Sequence, residues 1–245
     1  MKIKILGSAP GLPVAGQHHA CVWFNWGSRN VIFDCGDGAA SRLTEANLGG
    51  DVIDHIVISH LHPDHVCGLF MVLQMFYLQG RRKQLDIFLP ERIQKFTNIV
   101  KFFYLYPKRF GFDLTWKSCS EVGNTIPGVT ALANDHLLKY RDRHDDSDTD
   151  ASQRSYSFLL CAEGKKIMYT SDISSVHFLR DIAADLDLMI IDSLHVPRED
   201  LYSMAALVKG RTVLNHGSLQ GMKALVAACP TLNLIAARED EEIIL

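Results

Sequence analysis

The sequence lacks the features that would assign the protein to a membrane, to the secretory route or to a nucleic-acid backbone. No apolar run approaches the roughly 18 residues of a membrane span, and the opening MKIKILGSAPG is broken too early by glycine for a secretory signal. The net charge of −3 gives no overall basic field. Six cysteines without a CxxC pair indicate a reduced, cytoplasmic protein rather than a disulfide framework.

Short β-branched runs separated by turn residues predict many strands, with helices between them. The predicted strands cover residues 2–6, 20–25, 30–34, 52–59, 85–89, 127–134, 155–161, 166–170, 186–192, 211–214 and 232–236. The predicted helices cover residues 39–47, 66–79, 90–106, 198–208 and 218–228. This order predicts a layered α/β architecture with two sheets and helices outside them, in one continuous domain over residues 1–245.

Two segments have unusual charge. Residues 141–154 carry five Asp and three Arg without a large apolar residue, which predicts a solvated loop. Residues 81–110 carry eight Lys or Arg among interleaved aromatic residues. That pattern fits an amphipathic helix with a solvated basic face, and it also fits an electropositive platform for a phosphate-bearing substrate.

The strongest chemical signal is the HxHxDH run formed by His60, His62, Asp64 and His65. It begins where the apolar run 52–59 ends and is followed by the predicted helix from residue 66. Two histidines that are two residues apart in extended chain point to the same side, and the turn after them presents the Asp and the third His. Imidazole and carboxylate are the ligands expected for Zn²⁺, Mn²⁺ or Fe.

Further ligand types follow other predicted strands. They are Asn134-Asp135-His136, Ser171-Asp172 and Asn215-His216. Strand ends are where open α/β sheets build their sites. Singly, each is as well explained by a turn residue or a cap, but together with the HxHxDH run they supply enough ligands for two metals that share a carboxylate.

These motifs resemble the metallo-β-lactamase superfamily and, within it, the ribonuclease Z-like and phosphodiesterase branch. The segments that carry the resemblance are MKIKILGSAPG, NVIFDCGDG, ISHLHPDHVCGL, YTSD, LNHGS and AARED before a last strand. They extend over nearly the whole chain. The resemblance implies an α/β fold, a four-layer αβ/βα sandwich with a dimetal site at one edge.

The resemblance also implies roles for single residues. His60, His62 and His136 correspond to ligands of a first metal; Asp64, His65 and His216 correspond to those of a second; Asp172 corresponds to the bridging carboxylate. Asp34 corresponds to a position that supports the ligands without binding metal. His18 and His19 lie in the first long loop, which borders the site in this family, and could contact the substrate, whereas His55 is expected to be structural.

A site of this kind predicts hydrolysis. Two divalent ions, Zn²⁺ above Mn²⁺ or Fe, lower the pKa of a bridging water and hold the oxygens of the substrate. Asp64 is the candidate to orient the attacking hydroxide or take its proton, and His195, after the strand 186–192, is the candidate proton donor to the leaving oxygen. His195 can equally be an ordinary loop histidine.

The sequence departs from the ribonuclease Z enzymes that process tRNA. The stretch between His65 and His136 contains no glycine- and proline-rich arm, the HEAT-like and His-Ser/Thr elements are missing, and the loop 141–154 is acidic. We therefore expect a small or cyclic nucleotide, or an RNA-like phosphodiester, rather than tRNA, and no membrane partner. Hydrolysis of a lactone, thioester or carboxylic ester is the alternative, a metal-stabilised binding module is a third hypothesis, and a homodimer is left open.

Overall fold

A computed structural model describes residues 1–143, 152–239 and 241–245. The strands are β1 (Lys2–Gly7), β2 (Cys21–Trp26), β3 (Arg29–Phe33), β4 (His55–Val57), β5 (Leu85–Leu89), β6 (Leu114–Ser118), β7 (Val129–Ala133), β8 (Tyr156–Ala162), β9 (Lys165–Tyr169), β10 (Leu188–Asp192), β11 (Arg211–Asn215), β12 (Leu234–Ala236) and β13 (Glu242–Ile244). The helices are α1 (Ala39–Glu45), α2 (Pro63–Val66), α3 (Leu69–Leu78), α4 (Ile93–Phe102), α5 (Val122–Thr125), α6 (Arg180–Ala183), α7 (Arg198–Leu207) and α8 (Leu219–Ala228).

The strands form two mixed sheets. The first has seven strands in the order β13-β1-β2-β3-β4-β5-β6, antiparallel from β13 to β3 and parallel from β3 to β6. The second has six strands in the order β12-β11-β10-β9-β8-β7, parallel from β12 to β9 and antiparallel from β9 to β7. Parallel strands end at a common edge, so the residues that follow them are brought together.

The sheets pack face to face through aromatic side chains. The ring of Phe33 on β3 lies 4.9 Å from that of Phe158 and 6.0 Å from that of Tyr169, both on the second sheet. Helices cover both outer faces. Leu43 and Leu73 of α1 and α3 pack on the first sheet, and α7 and α8 pack on the second. The result is the four-layer helix–sheet–sheet–helix arrangement that the sequence predicts.

Most predicted elements are present; one predicted helix is divided, and the sequence patterns do not predict α5, α6 and β6. The predicted helix 66–79 is divided into α2 and α3 around Gly68, where a Cβ atom would lie 1.9 Å from the carbonyl oxygen of Gly36. That close approach of two backbones accepts only glycine. Strand β6 was not predicted, because Leu114–Ser118 is short, half-buried and half polar. Of the predicted acidic loop 141–154, residues 144–151 lie outside the described residues.

Within the described part of the chain, no helix combines the length and apolar character needed to cross a membrane.

Candidate metal centre

The HxHxDH motif connects β4 to α2. His60 and His62 lie in the loop after β4, with ring centroids 4.6 Å apart. Pro63 occupies the start of α2, where its missing N–H has no cost, and Asp64 lies in the first helical turn. The turn carries His65 back against His60, with ring centroids 4.1 Å apart. The four side chains of the motif therefore lie close together at the end of β4, on the side of the site formed by the first sheet.

The second sheet supplies the facing side. His136 follows β7, Asp172 follows β9 and His216 follows β11 directly. Ser171 and His216 adopt left-handed backbone conformations, with φ of 49° and 56°. Such a conformation costs a non-glycine residue roughly 1–2 kcal/mol, and persists at sites where the surroundings impose it.

One group of side chains contains His60, His62, His136 and Asp172. Nε2 of His136 lies 3.3 Å from Nδ1 of His62. Oδ2 of Asp172 lies 3.6 Å from Nε2 of His136 and 3.9 Å from Nε2 of His60. Three imidazole nitrogens and one carboxylate oxygen thus face a common centre, the ligand set of a divalent transition metal.

A second group contains Asp64, His65, His216 and the same Asp172. Oδ1 of Asp172 lies 3.2 Å from Nε2 of His65 and 3.3 Å from Nδ1 of His216. Oδ2 of Asp64 lies 3.2 Å from Nε2 of His216 and 3.6 Å from Nε2 of His65. Asp172 therefore presents Oδ2 to the first group and Oδ1 to the second.

Unpaired buried atoms test whether this arrangement fits metal ions. Nε2 of His60, Nε2 of His65 and Oδ1 of Asp172 are buried, and none of them makes a hydrogen bond with a described residue, although the last two lie 3.2 Å apart. Buried polar atoms are normally paired, and an ion is one of the few explanations for a cluster of unpaired ones. The donor set, its geometry and its unpaired atoms all fit two divalent cations.

The histidines of the two groups differ in proton affinity. Burial lowers the pKa of His60 well below its ordinary value, and burial lowers that of His136 to about 4. Burial also acts to lower the pKa of His216, but the charge of Asp172 and hydrogen bonds with Asp192 and Asp64 outweigh it and raise the value to about 10. Without cations, protons therefore occupy the second group, because carboxylates surround its imidazoles.

A second layer of hydrogen bonds holds the ligands. The carboxylate of Asp34, fully buried, accepts from Nδ1 of His65 at 2.9 Å, from the hydroxyl of Tyr169 at 2.7 Å and from the backbone N–H of Ser59 at 2.8 Å. Asp34 thus lies behind His65, one of the candidate ligands. Fixing the far nitrogen of a ligating histidine orients its ring toward the metal.

His195 lies beside the cluster, together with a residue that sequence reasoning missed. Nδ1 of His195 lies 2.8 Å from Oδ2 of Asp192 and 3.7 Å from Oδ2 of Asp172. Asp192 is buried and also accepts from the backbone N–H groups of His195 and Ile173. The available signal was an Asp that ends a strand three residues before the histidine.

Other predicted residues lie outside these groups. Glu239 accepts from Nδ1 of His18 at 2.7 Å, and neither His18 nor His19 belongs to a cluster that could hold a metal among the described residues. His55 lies 3.4 Å from Asp86 at the start of β4, in keeping with a structural role. The basic segment 81–110 contains β5, α4 and the 3-10 turn Pro107–Arg109. Phe96 on α4 is buried, but Phe102 and Tyr104 at the end of this helix are exposed, so the segment fits the predicted amphipathic helix only in part.

Sequence comparisons give partial matches. Residues 1–98 match the family model described as "Anti-Pycsar protein Apyc1". Ribonuclease Z of Methanococcus aeolicus is 33% identical over 105 residues, which are 42% of this chain and 33% of that protein. Ribonuclease Z of Methanosarcina acetivorans is 28% identical over 143 residues, 56% of this chain and 45% of that protein. The chain spans about a third to under a half of the length of these curated relatives.

Structural comparisons extend over the whole chain. Human tRNase Z, short form (ELAC1), has a TM-score of 0.73 at 18% identity, with 100% of this chain and 99% of that chain covered. The metallo-β-lactamase fold protein YhfI from Bacillus subtilis has a TM-score of 0.73 at 17% identity and 99% coverage of both chains. A diphosphatase from the PhnP family has a TM-score of 0.73 at 15% identity, covering 100% and 97%. The comparisons confirm the predicted metallo-β-lactamase fold and the predicted resemblance to ribonuclease Z.

Proposed function

We propose that this chain, which has the metallo-β-lactamase fold, is a hydrolase that cleaves a phosphodiester with two divalent cations. The observation that carries the proposal is the shared carboxylate. Asp172 directs one oxygen toward His60 and His136 and the other toward His65 and His216. A carboxylate between two histidine groups is the arrangement expected of a dinuclear centre. We treat residues 1–245 as a single domain of this fold.

The residues present would divide between the two ions. The first would be held by His60, His62 and His136, the second by Asp64, His65 and His216, with Asp172 between them. When bound, divalent cations would acidify a water molecule and polarise the oxygens of the phosphate. Histidine and carboxylate ligands accept zinc, manganese or iron, and we propose zinc first.

Asp64 would orient the attacking water. Burial acts to raise the pKa of Asp64, but its hydrogen bond with His216 and the neighbouring imidazoles hold that pKa below its ordinary value. An oxygen that is ionised at neutral pH accepts a hydrogen bond well but retains a proton poorly. Asp64 would therefore align the water by accepting a hydrogen bond from it, rather than hold the water's proton.

His195 would donate the proton to the leaving oxygen. Its Nδ1 is committed to Asp192 at 2.8 Å, which leaves Nε2 as the nitrogen that can meet the substrate. The buried carboxylate of Asp192 fixes the orientation of the ring, as in other Asp–His pairs. The His195 side chain is 24% exposed, so a substrate can reach it.

A phosphodiester is favoured over a carboxylic ester by one cationic side chain near the candidate centre and by the names of the protein's relatives. Lys139 lies three residues after His136, and its charge contributes to the low pKa of that histidine. Relatives named ribonuclease Z and a structural relative named as a diphosphatase support phosphate chemistry. The proposed substrate is a small or cyclic nucleotide or an RNA-like diester.

The test is turnover of bis-p-nitrophenyl phosphate against p-nitrophenyl acetate by protein of known metal content, reconstituted with Zn²⁺ or Mn²⁺. We expect metal-dependent diester cleavage that falls at least a hundredfold in Asp64→Asn. Asp113→Asn, which changes an exposed carboxylate before β6, is the matched control and should retain activity. Ester cleavage alone would instead favour an acyl hydrolase, and neither activity with two metals bound would favour a binding module.

A further inference from the structure

An aromatic side chain borders the first group of candidate ligands. The ring centroid of Tyr140 lies 5.6 Å from that of His62 and 6.3 Å from that of His136, at steep angles of 78° and 69°. Tyr140 is half-buried, so part of its ring remains open to solvent. An aromatic residue in this position forms part of the rim through which a substrate reaches the histidines.

Local contacts hold Tyr140 in this position. It lies in the 3-10 turn Leu138–Arg143 that follows His136, and its backbone N–H donates to the carbonyl of Leu137 at 3.0 Å. Leu137 is buried and anchors the start of the turn. The side-chain amide of Gln153 donates to the carbonyl of Tyr140 at 3.0 Å. Two hydrogen bonds therefore hold the short segment that connects the Tyr140 ring to His136.

The ammonium group of Lys139 lies next to the Tyr140 ring. Nζ of Lys139 lies 5.2 Å from the ring centroid of Tyr140, and the Lys139 side chain is exposed. A positive charge and an aromatic face side by side are the two elements that bind a nucleotide, since the charge attracts the phosphate and the ring stacks on the base. Simple alkyl phosphates use only the first element.

We propose that Lys139 and Tyr140 form a nucleotide subsite, in which Lys139 attracts the phosphate and Tyr140 stacks on the base or contacts the ribose. This inference rests on the proposed function, because it assigns the two residues that would select a nucleotide over a simple alkyl phosphate at that site. The subsite accepts a free nucleotide and a nucleotide within an RNA strand alike.

Binding rather than turnover tests the subsite. Calorimetry on zinc-loaded protein would compare uridine 5′-monophosphate with methyl phosphate, which lacks base and ribose. We expect the nucleotide to bind at least tenfold more tightly. Tyr140→Leu should raise the dissociation constant of the nucleotide about tenfold and leave that of methyl phosphate within twofold, since stacking contributes to only one ligand. Tyr140→Phe should behave as the wild type.

Two control variants and a zinc measurement distinguish three effects: the charge of Lys139, stacking on Tyr140, and any loss of metal from the candidate ligands. Lys139→Gln should weaken both ligands by a similar factor, because both carry the phosphate. Tyr77→Leu changes another half-exposed tyrosine, near the far end of α3 from the motif, and should affect neither ligand. Zinc content, measured on every variant, should equal that of the wild type.

Two results would overturn the proposal. One is equal affinity of the wild type for both ligands. The other is an equal loss of both in Tyr140→Leu, which would mean that the ring only supports His62 and His136. The outcome is independent of catalysis. A Tyr140-dependent preference without diester cleavage would retain the subsite and refute the proposed function, whereas cleavage without the preference would do the reverse.

Discussion

The support that Asp34 gives to His65 can be tested by a change of one atom. Asp34→Asn keeps the shape of the side chain but replaces one carboxylate oxygen by an N–H₂ group. Oδ1 accepts from the backbone N–H of Ser59, while Oδ2 accepts from His65, Tyr169 and Ser171 at 2.9, 2.7 and 3.1 Å. Whichever way the amide turns, its N–H₂ group faces at least one donor.

The magnitude follows from these contacts. The better orientation keeps the amide oxygen on the three side-chain donors and loses the bond to Ser59. Loss of a bond to a charged group costs about 1.5–3 kcal/mol of the free energy of unfolding. In this orientation His65 keeps its hydrogen bond but loses the negative charge behind it, and such a change in the partner of a ligating histidine typically weakens metal binding about 10–100-fold. Tyr169→Phe removes one donor and leaves the carboxylate, so it should cost about 1 kcal/mol and weaken metal binding by only a few-fold.

The assay has two parts. Urea unfolding of metal-free protein measures stability, and competition with a chromophoric chelator resolves the affinities of the two metal sites. We expect Asp34→Asn to weaken one site much more than the other, because the carboxylate contacts only His65 among the candidate ligands. Equal loss at both sites, or an affinity equal to that of Tyr169→Phe, would refute the argument that Asp34 acts through His65.

Three further predictions concern the ligands and the proton donor. Asp172→Ala should reduce the metal content from two ions per chain to one or fewer by elemental analysis, with Asp113→Ala, an exposed carboxylate, as control; retention of two ions would contradict the shared-ligand assignment. His195→Gln should keep its metal and lose most activity with poor leaving groups, and an equal loss across leaving groups would indicate binding instead of proton donation. Because the pKa values of His65 and His216 are raised, the latter to about 10, cation binding at pH 7.5 should release about two protons in calorimetry. Metal affinity should therefore rise with pH between 6.5 and 10, by about tenfold per proton per unit, and release of no protons would contradict the carboxylate environment of these rings.

Much of the candidate site was predictable because its candidate ligands follow short, strongly patterned strands. The HxHxDH run is local, so its four side chains can be recognised without knowing the fold. His136, Asp172 and His216 become candidates because each comes just after a predicted strand, and parallel strands end at one edge. Assigning them to separate groups required the family resemblance, since spacing alone does not say which strand ends face each other.

The missed features depend on contacts between distant parts of the chain. The backbone of Gly36 leaves no room for a side chain at position 68, and nothing in the apolar pattern of residues 66–79 reveals that neighbour. Glu239 joins the first long loop across 221 residues, accepting from the N–H and the ring of His18. The role of Asp192 follows from its burial beside His195, which a strand-ending Asp does not disclose.

The two groups of ligands also explain why the site depends on the whole fold. His60 and His62 come from the first sheet and meet His136 from the second; likewise, His65 from the first sheet meets His216 from the second. Each cation would therefore connect the two sheets across the edge of the sandwich, where the carboxylates and imidazoles otherwise hold protons or repel one another. Because an unfolded chain does not preserve such a ligand set, the free energy of metal binding is transferred to folding, by about 2.7 kcal/mol for an ion at a hundred times its dissociation constant. The same residues that are poised for catalysis would thus also hold the sandwich together at its open edge.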